Sequence, residues 1–452
     1  MPLIRALSAV LAGILLAGVA GAEGAAPATG GDVIVETDLE GARALARQAL
    51  AIGRPDQAVL IARQILATVP DDPGAHMLLA AALTRSGVPD QAVPVARKGF
   101  YLAKGKEAKF EGAYLTAEAF AAAGRPWASK LWLRRADLYA PTKTHEAVLG
   151  QAYRTVSTQS RLSFAVSIFG GPSDNVNGGS LHDTYWWGPF AIPITQAVPG
   201  QVYGLAAQMG YTLTPASRAT LTWSHAEVVL GDRARAIDPG LRGADFRRDQ
   251  LSLGIEHVWQ DEAGRYALLT TGAVARRWSG GQVSADIARG SLELRRAFAP
   301  DWAGSAKLQM EAVDIPGSQV VDSVTSRLTV AASHRADWLG AVTVGVGAVD
   351  VSSDAAGIAW RGPAMSLGWR PPIRSDFFGL MVDLEAEQRD YWRTPSFAPD
   401  TWLSLSVTAE LPSLEVMGFN PTVTVSGART WSDLVVRDTR ELGVSFGISS
   451  QF

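Results

Sequence analysis

Cysteine is absent from all 452 residues of the chain. Disulfide bonds, thiolate nucleophiles and cysteine metal ligands are therefore excluded. The chain also cannot itself be a lipoprotein, because lipidation requires a cysteine at the cleavage site. Charge is scarce as well: charged residues make up 19% of the sequence, and the formal net charge is −3. Without a strong positive balance there is no broad basic surface, so nucleic acid is not an expected partner.

Recognisable catalytic and metal-binding motifs are also missing. None of the six histidines has a metal-ligand spacing to another histidine or to an acidic residue, so we expect no metal site and no cofactor. Glu227 and Asp232 lie close together, but no nucleophile or oxyanion motif accompanies them. The sequence therefore does not predict an enzyme. His225 and His257 fall inside strand-like segments, where isolated polar residues are expected to line a wet barrel lumen.

One long apolar run occurs, and it lies at the N-terminus. A positively charged start precedes the apolar residues 6–19, and residues 20–22 (AGA) supply the small side chains that signal peptidase requires. This predicts a secretory signal peptide over residues 1–22. A membrane-anchoring helix, the alternative, would need a longer apolar stretch. Residues 23–36 are rich in Ala, Gly, Thr and Pro and are expected to form a flexible lead-in.

The next part of the chain contains a repeat. The segment GRPDQA at residues 53–58 recurs as GVPDQA at residues 87–92, and a looser copy begins at residue 124. The offset between the first two copies is the length of a tetratricopeptide (TPR) unit. Each copy places a glycine where one helix ends and a proline where the next begins. These turn residues are Gly53, Pro55, Gly87, Pro89, Gly124 and Pro126.

The repeat predicts a short TPR-like α-solenoid over residues 37–155, because one helix pair cannot bury its apolar face alone and must stack on its neighbours. We expect roughly three helix pairs and a capping helix. The alternative is an ordinary helical bundle with a chance repeat. Solenoids of this kind usually bind peptides or partner proteins and are seldom catalytic.

After a Ser/Thr/Gln linker at residues 156–160, the apolar periodicity changes from 3.6 to 2. Fourteen strand-like segments follow over residues 161–452, with lengths that suit a tilted bilayer crossing. Long and short connections alternate strictly over the early strands; the long ones include residues 171–201 and 231–246. The pattern predicts an antiparallel transmembrane β-barrel of about 14 strands, so the fold class is α + β multidomain, a solenoid followed by a barrel.

The tryptophans support the barrel prediction, because they collect at the ends of the strand-like segments. One set flanks the short turns and a second set lies at the opposite strand ends, as two aromatic belts at the two bilayer interfaces require. The first set is Trp259, Trp302, Trp338 and Trp369, and the second is Trp278, Trp360, Trp392, Trp402 and Trp431.

The last strand-like segment alternates apolar and small polar residues up to the C-terminus. Its apolar face carries Phe446, Ile448 and Phe452. This end resembles the β-signal by which bacterial barrels are delivered to their assembly machinery. From this segment alone, the alternative is a hairpin strand of a soluble β-sandwich.

The segment FAVSIFGGPSDNVNGGS at residues 164–180 runs from a strand into polar loop residues. It resembles the opening strand of the surface lipoprotein assembly modifier family (Slam), whose members are similar in layout: a signal peptide, periplasmic TPRs and a fourteen-stranded outer-membrane barrel. Loop chemistry leaves two roles open for the motif, turning the chain at the outer mouth or contacting a client. The motif residues are Pro172, Ser173, Asp174, Asn175, Val176 and Asn177.

The resemblance implies an outer-membrane translocon that exports a client lipoprotein or a soluble haem- or metal-acquisition protein, with a periplasmic N-terminal domain that recognises the client. The implied partners are that client, the barrel assembly machinery and the lipid bilayer. Three rival interpretations are a TPR-containing exopolysaccharide-export porin, a general diffusion porin and a soluble two-domain adhesin. An acidic or aromatic lumen that tracks sugars would favour the exopolysaccharide porin.

Overall fold

The computed structural model describes residues 37–373, 378–393, 398–414 and 419–451. The expected signal peptide and lead-in, and Phe452 of the expected assembly signal, lie outside these residues. The described chain forms two compact units, one of helices up to Ser160 and one of strands from Arg161 onward.

Seven α-helices lie within the described residues of the helical unit. Consecutive helices pack together, and α1 also contacts α3, which contacts α5, as a stack of helix pairs requires. This confirms the predicted TPR-like helical region. The helices are α1 (Leu39–Ala51), α2 (Pro55–Thr68), α3 (Pro73–Arg85), α4 (Pro89–Leu102), α5 (Lys106–Ala122), α6 (Pro126–Asp137) and α7 (Lys143–Gln159).

The turns inside the three helix pairs share one geometry. Gly53, Gly87 and Gly124 have φ angles of 74°, 80° and 71°, a left-handed conformation that glycine adopts without a steric penalty. The residue after each glycine donates its N–H to the carbonyl oxygen five positions earlier, over 2.8 to 3.0 Å. This hydrogen bond satisfies a carbonyl at the helix end, and a proline then begins the next helix.

Helix α7 continues through residues 156–159. The prediction of a linker at residues 156–160 was therefore wrong. Ser and Thr favour loops only weakly, and here packing decides the outcome. Leu149, Ala152 and Val156 on α7 are buried in a core shared with α5 and α6. None of the described helices is both long enough and apolar enough to cross a membrane.

The second unit is a closed antiparallel barrel of fourteen strands, as predicted. The first strand, β1, pairs with β4 on one side and with the last strand, β16, on the other, so no strand edge is left open. The barrel strands are β1 (Leu162–Ser173), β4 (Gly200–Thr214), β5 (Ser217–Val229), β6 (Arg248–Gln260), β7 (Tyr266–Ser279), β8 (Gln282–Ala299), β9 (Trp302–Asp314), β10 (Ser323–Ala336), β11 (Gly340–Ser353), β12 (Trp360–Arg370), β13 (Gly379–Arg389), β14 (Asp400–Glu410), β15 (Phe419–Trp431) and β16 (Thr439–Gln451).

The two ends of the barrel differ in the length of their connections. We call the end where β1 begins and β16 ends the short-turn end, and the other the long-loop end. The first connection at the long-loop end contains a separate hairpin of β2 (Thr184–Trp187) and β3 (Phe190–Pro193), and the second contains a short helix, α8 (Asp232–Ile237).

The strict alternation of long and short connections breaks between β7 and β8. Gly280 and Gly281 alone join these two strands at the long-loop end. Both glycines have positive φ angles, 57° and 83°. Two consecutive left-handed residues form the two-residue turn whose twist matches that of a hairpin.

Alternation along the strands gives the barrel an apolar exterior. On every barrel strand except β13, one parity of residues carries large exposed aliphatic or aromatic side chains, and on β13 the corresponding residues are half-buried. The cross-strand pairing keeps this parity on one face around the whole barrel. The other face, toward the lumen, carries mostly small and polar residues. An oily outside and a polar inside are the mark of a membrane-spanning barrel.

The aromatic residues at the short-turn end confirm one of the two predicted belts. Trp259, Trp302 and Trp369 lie on exterior positions there and are 36% to 53% exposed. At the long-loop end the prediction was wrong for Trp360 and Trp402. Their strand parity places them on the lumen face, where they flank Arg389.

Candidate functional site

The seam between β1 and β16 closes the barrel, and the predicted motif lies where this seam reaches the long-loop end. Opposite each other across the seam are Ile168 and Ile448, and Gly170 and Phe446. Phe446 and Ile448, two residues of the expected assembly signal, are on the exterior and are 60% and 44% exposed. They are therefore accessible from the membrane side.

Asn175 ties the first connection to the last strand. Its side-chain Nδ2 donates to the carbonyl oxygens of Gly179 and Arg440, each over 2.9 Å, and its Oδ1 accepts the N–H of Gly179 over 2.8 Å. The residue is 4% exposed. Because Arg440 belongs to β16, one buried amide holds both the turn that follows β1 and the strand that closes the barrel.

Asn177 holds the two arms of the first connection together. Its Oδ1 accepts the N–H of Val198 over 2.9 Å, and its Nδ2 donates to the carbonyl oxygen of Gln196 over 2.8 Å. Between the two asparagines, Val176 donates its N–H to the carbonyl oxygen of Val198. The side chain of Val176 is buried in a small apolar core that joins the first two connections of the long-loop end. This core consists of Val176, Val198, Val228, Leu230 and Ala234.

The first half of the motif extends the seam. Asp174 accepts the N–H of Leu442 on its Oδ1 over 2.6 Å and lies 3.5 Å from the Arg440 guanidinium. Ser173 accepts the N–H of Asn175, and Pro172 is still within β1, opposite Gln201. All six motif residues thus lie at the seam and its first turn. Of the two roles left open by the sequence, these contacts favour the structural one.

Ser180 connects this region to the last connection of the barrel, residues 432–438. Its Oγ donates to the carbonyl oxygen of Val435 over 2.5 Å, and the side chain is 2% exposed. Next to it, Leu181 donates its N–H to the carbonyl oxygen of Asp438. The base of the β2–β3 hairpin is therefore fixed to the loop between β15 and β16. Ser180 was not predicted from the sequence as a residue of this site.

The tip of the β2–β3 hairpin is exposed and aromatic. Trp186, Trp187 and Phe190 are 66%, 67% and 65% exposed. From the sequence, this region was expected to be one long connection, residues 171–201. Aromatic residues on both sides of a Gly-Pro pair, Gly188 and Pro189, were the signal for a hairpin.

A cluster of charged and aromatic residues lies on the lumen face near the long-loop end. Glu387, which is 5% exposed, accepts hydrogen bonds from Arg327 and from Arg389, the latter over 2.7 and 2.9 Å. The Arg389 guanidinium lies between the rings of Trp360 and Trp402, 5.1 and 5.0 Å from their centres. The cluster braces the lumen wall from β10 to β14.

The histidines that were expected in the lumen lie on the exterior instead. His225 faces outward beside Trp223 and contacts Asp249 and Glu227, and His257 contacts Ser217 over 2.8 Å. The expectation failed because alternation within one strand does not reveal which parity faces outward. Within the described ranges, no group of three or more His, Asp or Glu residues is placed to hold a metal ion.

Glu111 and Glu118 lie about two helical turns apart on α5. Neither carboxylate forms a hydrogen bond or an ion pair with another described residue. Burial raises the pKa of Glu111 and of Glu118, and the charges of Arg47 and Arg85 lower these pKa values by less. Because Arg47 is on α1 and Arg85 on α3, these four side chains share one surface of the stack. Burial, and then the charge of Glu118, also raise the pKa of Tyr114.

The helical unit and the barrel are similar to different groups of known proteins. A tetratricopeptide repeat family profile matches residues 39–82. No curated protein matches the sequence.

The solved structures that match are barrels. A bacterial polysaccharide outer membrane secretin is 10% identical, covering 64% of this chain and 98% of its own, with a TM-score of 0.33. An anion-selective porin from Comamonas acidovorans gives the same values. The translocator domain of the autotransporter NalP from Neisseria meningitidis is 14% identical, covering 68% and 96%, with a TM-score of 0.28. Such loose superpositions do not assign a function.

Proposed function

We propose that the chain is an outer-membrane translocon that exports a protein client, and that the helical unit lies in the periplasm and recognises this client. The proposal follows the layout of the surface lipoprotein assembly modifier family, whose clients are lipoproteins or soluble haem- or metal-acquisition proteins. It requires two further partners, the bilayer and the barrel assembly machinery. The observation that carries it is the succession, in one chain, of a TPR-like stack and a closed barrel with a polar lumen.

The shared surface on α1, α3 and α5 supports the recognition role. It presents Glu111 and Glu118 with Arg47 and Arg85 nearby, but the two carboxylates form no ion pair within the described structure. Glu118 is half-buried and Glu111 is exposed. A carboxylate that is partly removed from water and lacks a partner, as Glu118 is, gains from a ligand that supplies a positive charge. A client segment with basic side chains meets that requirement.

The aromatic residues of the lumen give little support to the exopolysaccharide alternative. In the described strands, three aromatic residues occupy lumen-facing positions: Phe169, Trp360 and Trp402. Two of these rings are already engaged with Arg389, so they do not form a continuous row for stacking sugars. A general diffusion porin, the other alternative, would have no use for a peptide-binding stack.

A comparison of surface proteomes tests the proposal without knowledge of the client. Cells that lack the chain are compared with cells that produce the full chain or a version without residues 37–159, by protease shaving and mass spectrometry. We expect one or a few proteins to disappear from the surface in the deletion strain. The full chain should restore them, and the barrel alone should not.

A matched variant separates recognition from folding. Glu111→Gln combined with Glu118→Gln keeps the size of both side chains and removes their charge, so it should lower display of the same proteins while the barrel is assembled normally. If the barrel alone restores display, the recognition role is wrong. If no surface protein changes while uptake of small solutes falls, the diffusion porin is the better interpretation.

A further inference from the structure

The charges on the lumen face are not evenly distributed around the barrel. On the four adjacent strands β7 to β10, lumen-facing positions hold six basic and two acidic residues. We call these four strands the basic wall. Its acidic residues are Glu293 and Glu311, and its basic residues are Arg277, Arg289, Arg295, Lys307, Arg327 and Arg335.

The opposite sign dominates on the four strands β13 to β16. Lumen-facing positions there hold one basic residue, Arg389, and six acidic ones. We call these strands the acidic wall. Three of its carboxylates alternate along the single strand β13. The acidic residues are Asp383, Glu385, Glu387, Asp400, Glu410 and Glu441.

The order of strands places the two walls across the lumen from each other. Strands β11 and β12 separate them on one side, and β6, β5, β4 and β1 on the other. Since the barrel has fourteen strands, β7 and β14 are half a circumference apart. Positive and negative side chains therefore face each other across the lumen.

Ion pairs cancel part of this charge but not all of it. Arg289 pairs with Glu311, Arg295 with Glu293, and both Arg327 and Arg389 with Glu387. Left without an ion pair in the described structure are Arg277, Lys307 and Arg335 on the basic wall, and Asp383, Glu385, Glu410 and Glu441 on the acidic wall. The remaining charges are similar in number and opposite in sign.

We infer that the lumen is a conduit with a transverse electric field, suited to a hydrated polypeptide segment that carries charges of both signs. Such a segment places its basic side chains toward β13 and β14 and its acidic ones toward β7 and β9, so that each charge meets an opposite one. A polyanion meets repulsion from the acidic wall along its whole length. The substrate class rests on the proposed export function, whereas the field is a property of the barrel itself.

Planar-bilayer recordings of the full-length protein test the field directly. Under a KCl gradient, the two walls should nearly cancel, and the wild type should discriminate weakly between K⁺ and Cl⁻. The combination Asp383→Asn, Glu385→Gln and Glu410→Gln leaves the basic wall uncompensated and should give a several-fold preference for Cl⁻. The combination Arg277→Gln, Lys307→Gln and Arg335→Gln should give a several-fold preference for K⁺.

The exterior offers a matched control. Arg276 and Asp286 form an ion pair on the outward face, next to Arg277 in the chain but on the other side of the wall. The combination Arg276→Gln and Asp286→Asn should leave the selectivity at the wild-type value. If the two lumen variants shift selectivity in the same direction, or neither shifts it, the transverse field is refuted. A barrel that carries no current at all refutes the conduit.

A second measurement addresses the substrate class. Peptides of one length, made of alternating Glu and Lys, of Glu alone or of Lys alone, are added to the long-loop side, and the lifetime of current blocks is compared. The mixed peptide should give the longest blocks, and neutralising either wall should shorten them several-fold. Longer blocks by the Glu peptide would overturn the inference. If these results are obtained but the cells export no protein, the transverse field is supported and only the proposed export function is refuted.

Discussion

Among single residues, Asn175 makes the side-chain contacts that join the two strands closing the barrel. Its amide makes three buried hydrogen bonds that join the turn after β1 to β16. In Asn175→Ala, the carbonyl oxygens of Gly179 and Arg440 lose the Asn175 amide as a donor, and the N–H of Gly179 keeps only its longer bond to Asn177, over 3.3 Å. Each such group costs roughly 1 to 3 kcal/mol, so we expect the barrel to lose at least about 2 kcal/mol of unfolding free energy in urea titrations followed by gel mobility.

Asn420→Ala is the matched control for this substitution. Asn420 faces the lumen on β15 and makes no side-chain hydrogen bond in the described structure, so its replacement should change the unfolding free energy by less than about 0.5 kcal/mol. If Asn175→Ala and Asn420→Ala unfold at the same urea concentration, the motif does not stabilise the pairing of β1 with β16.

Glu118 should make the stability of the helical unit depend on pH. Burial raises its pKa in the folded state, so its protonated form stabilises the fold below the unfolded pKa, and this stability is lost as pH rises through the folded pKa. At neutral pH, Glu118→Gln should therefore raise the helix melting temperature by a few degrees. Near pH 4 the gain should shrink. Circular dichroism of the full chain in detergent measures both.

Glu107→Gln provides the comparison on the same helix. Glu107 is exposed in the first turn of α5, where a negative charge interacts favourably with the helix dipole. Its replacement should lower the melting temperature slightly at neutral pH. A gain in both variants would show that the loss of any acidic charge stabilises the unit, and the argument from the burial of Glu118 would fail.

At the scale of elements, two glycine substitutions in the helical unit should change its stability in opposite directions. In Gly87→Ala, a Cβ would meet no atom within 4 Å, so the cost is the φ of +80° alone, about 1 kcal/mol. In Gly150→Ala, within α7, the new Cβ lies 3.7 Å from one arginine atom, and helix propensity should add roughly 1 kcal/mol. Thermal melts should separate the two variants in these directions.

The same elements show what the sequence reveals and what it does not. Gly53 and Pro55, and their two later copies, were predictable because left-handed turns and first helical positions select for these residues. The C-terminal end of α7 was not predictable, because Val156 is buried against other helices and the residues next to it in the sequence do not reveal such packing. The β2–β3 hairpin was missed for a related reason: each of its strands has only four residues, too few to show a period of two.

For the whole molecule, the number of strands and the closure of the barrel followed from periodicity, because lipid and water select opposite faces of every strand. Periodicity did not show which of the two alternating sets of residues faces outward, so His225 and His257 were expected on the wrong face. The contacts of Asn175 with Arg440 and of Asp174 with Leu442 were equally hidden. They join residues 265 and 268 positions apart in the chain, and only the pairing of β1 with β16 brings these together.

The division into two units leads to the last prediction. The apolar cores of the stack contain only residues of the helical unit, and every barrel strand finds its partners within residues 161–451. A chain with a signal peptide and residues 161–452 alone should therefore still assemble into a barrel. Unboiled, it should migrate faster in SDS gels than after boiling, and its urea midpoint should lie close to that of the full chain. A barrel that fails to form, or that is degraded although Asn175 and its partners are intact, would show that the helical unit is needed for assembly and is more than a recognition element.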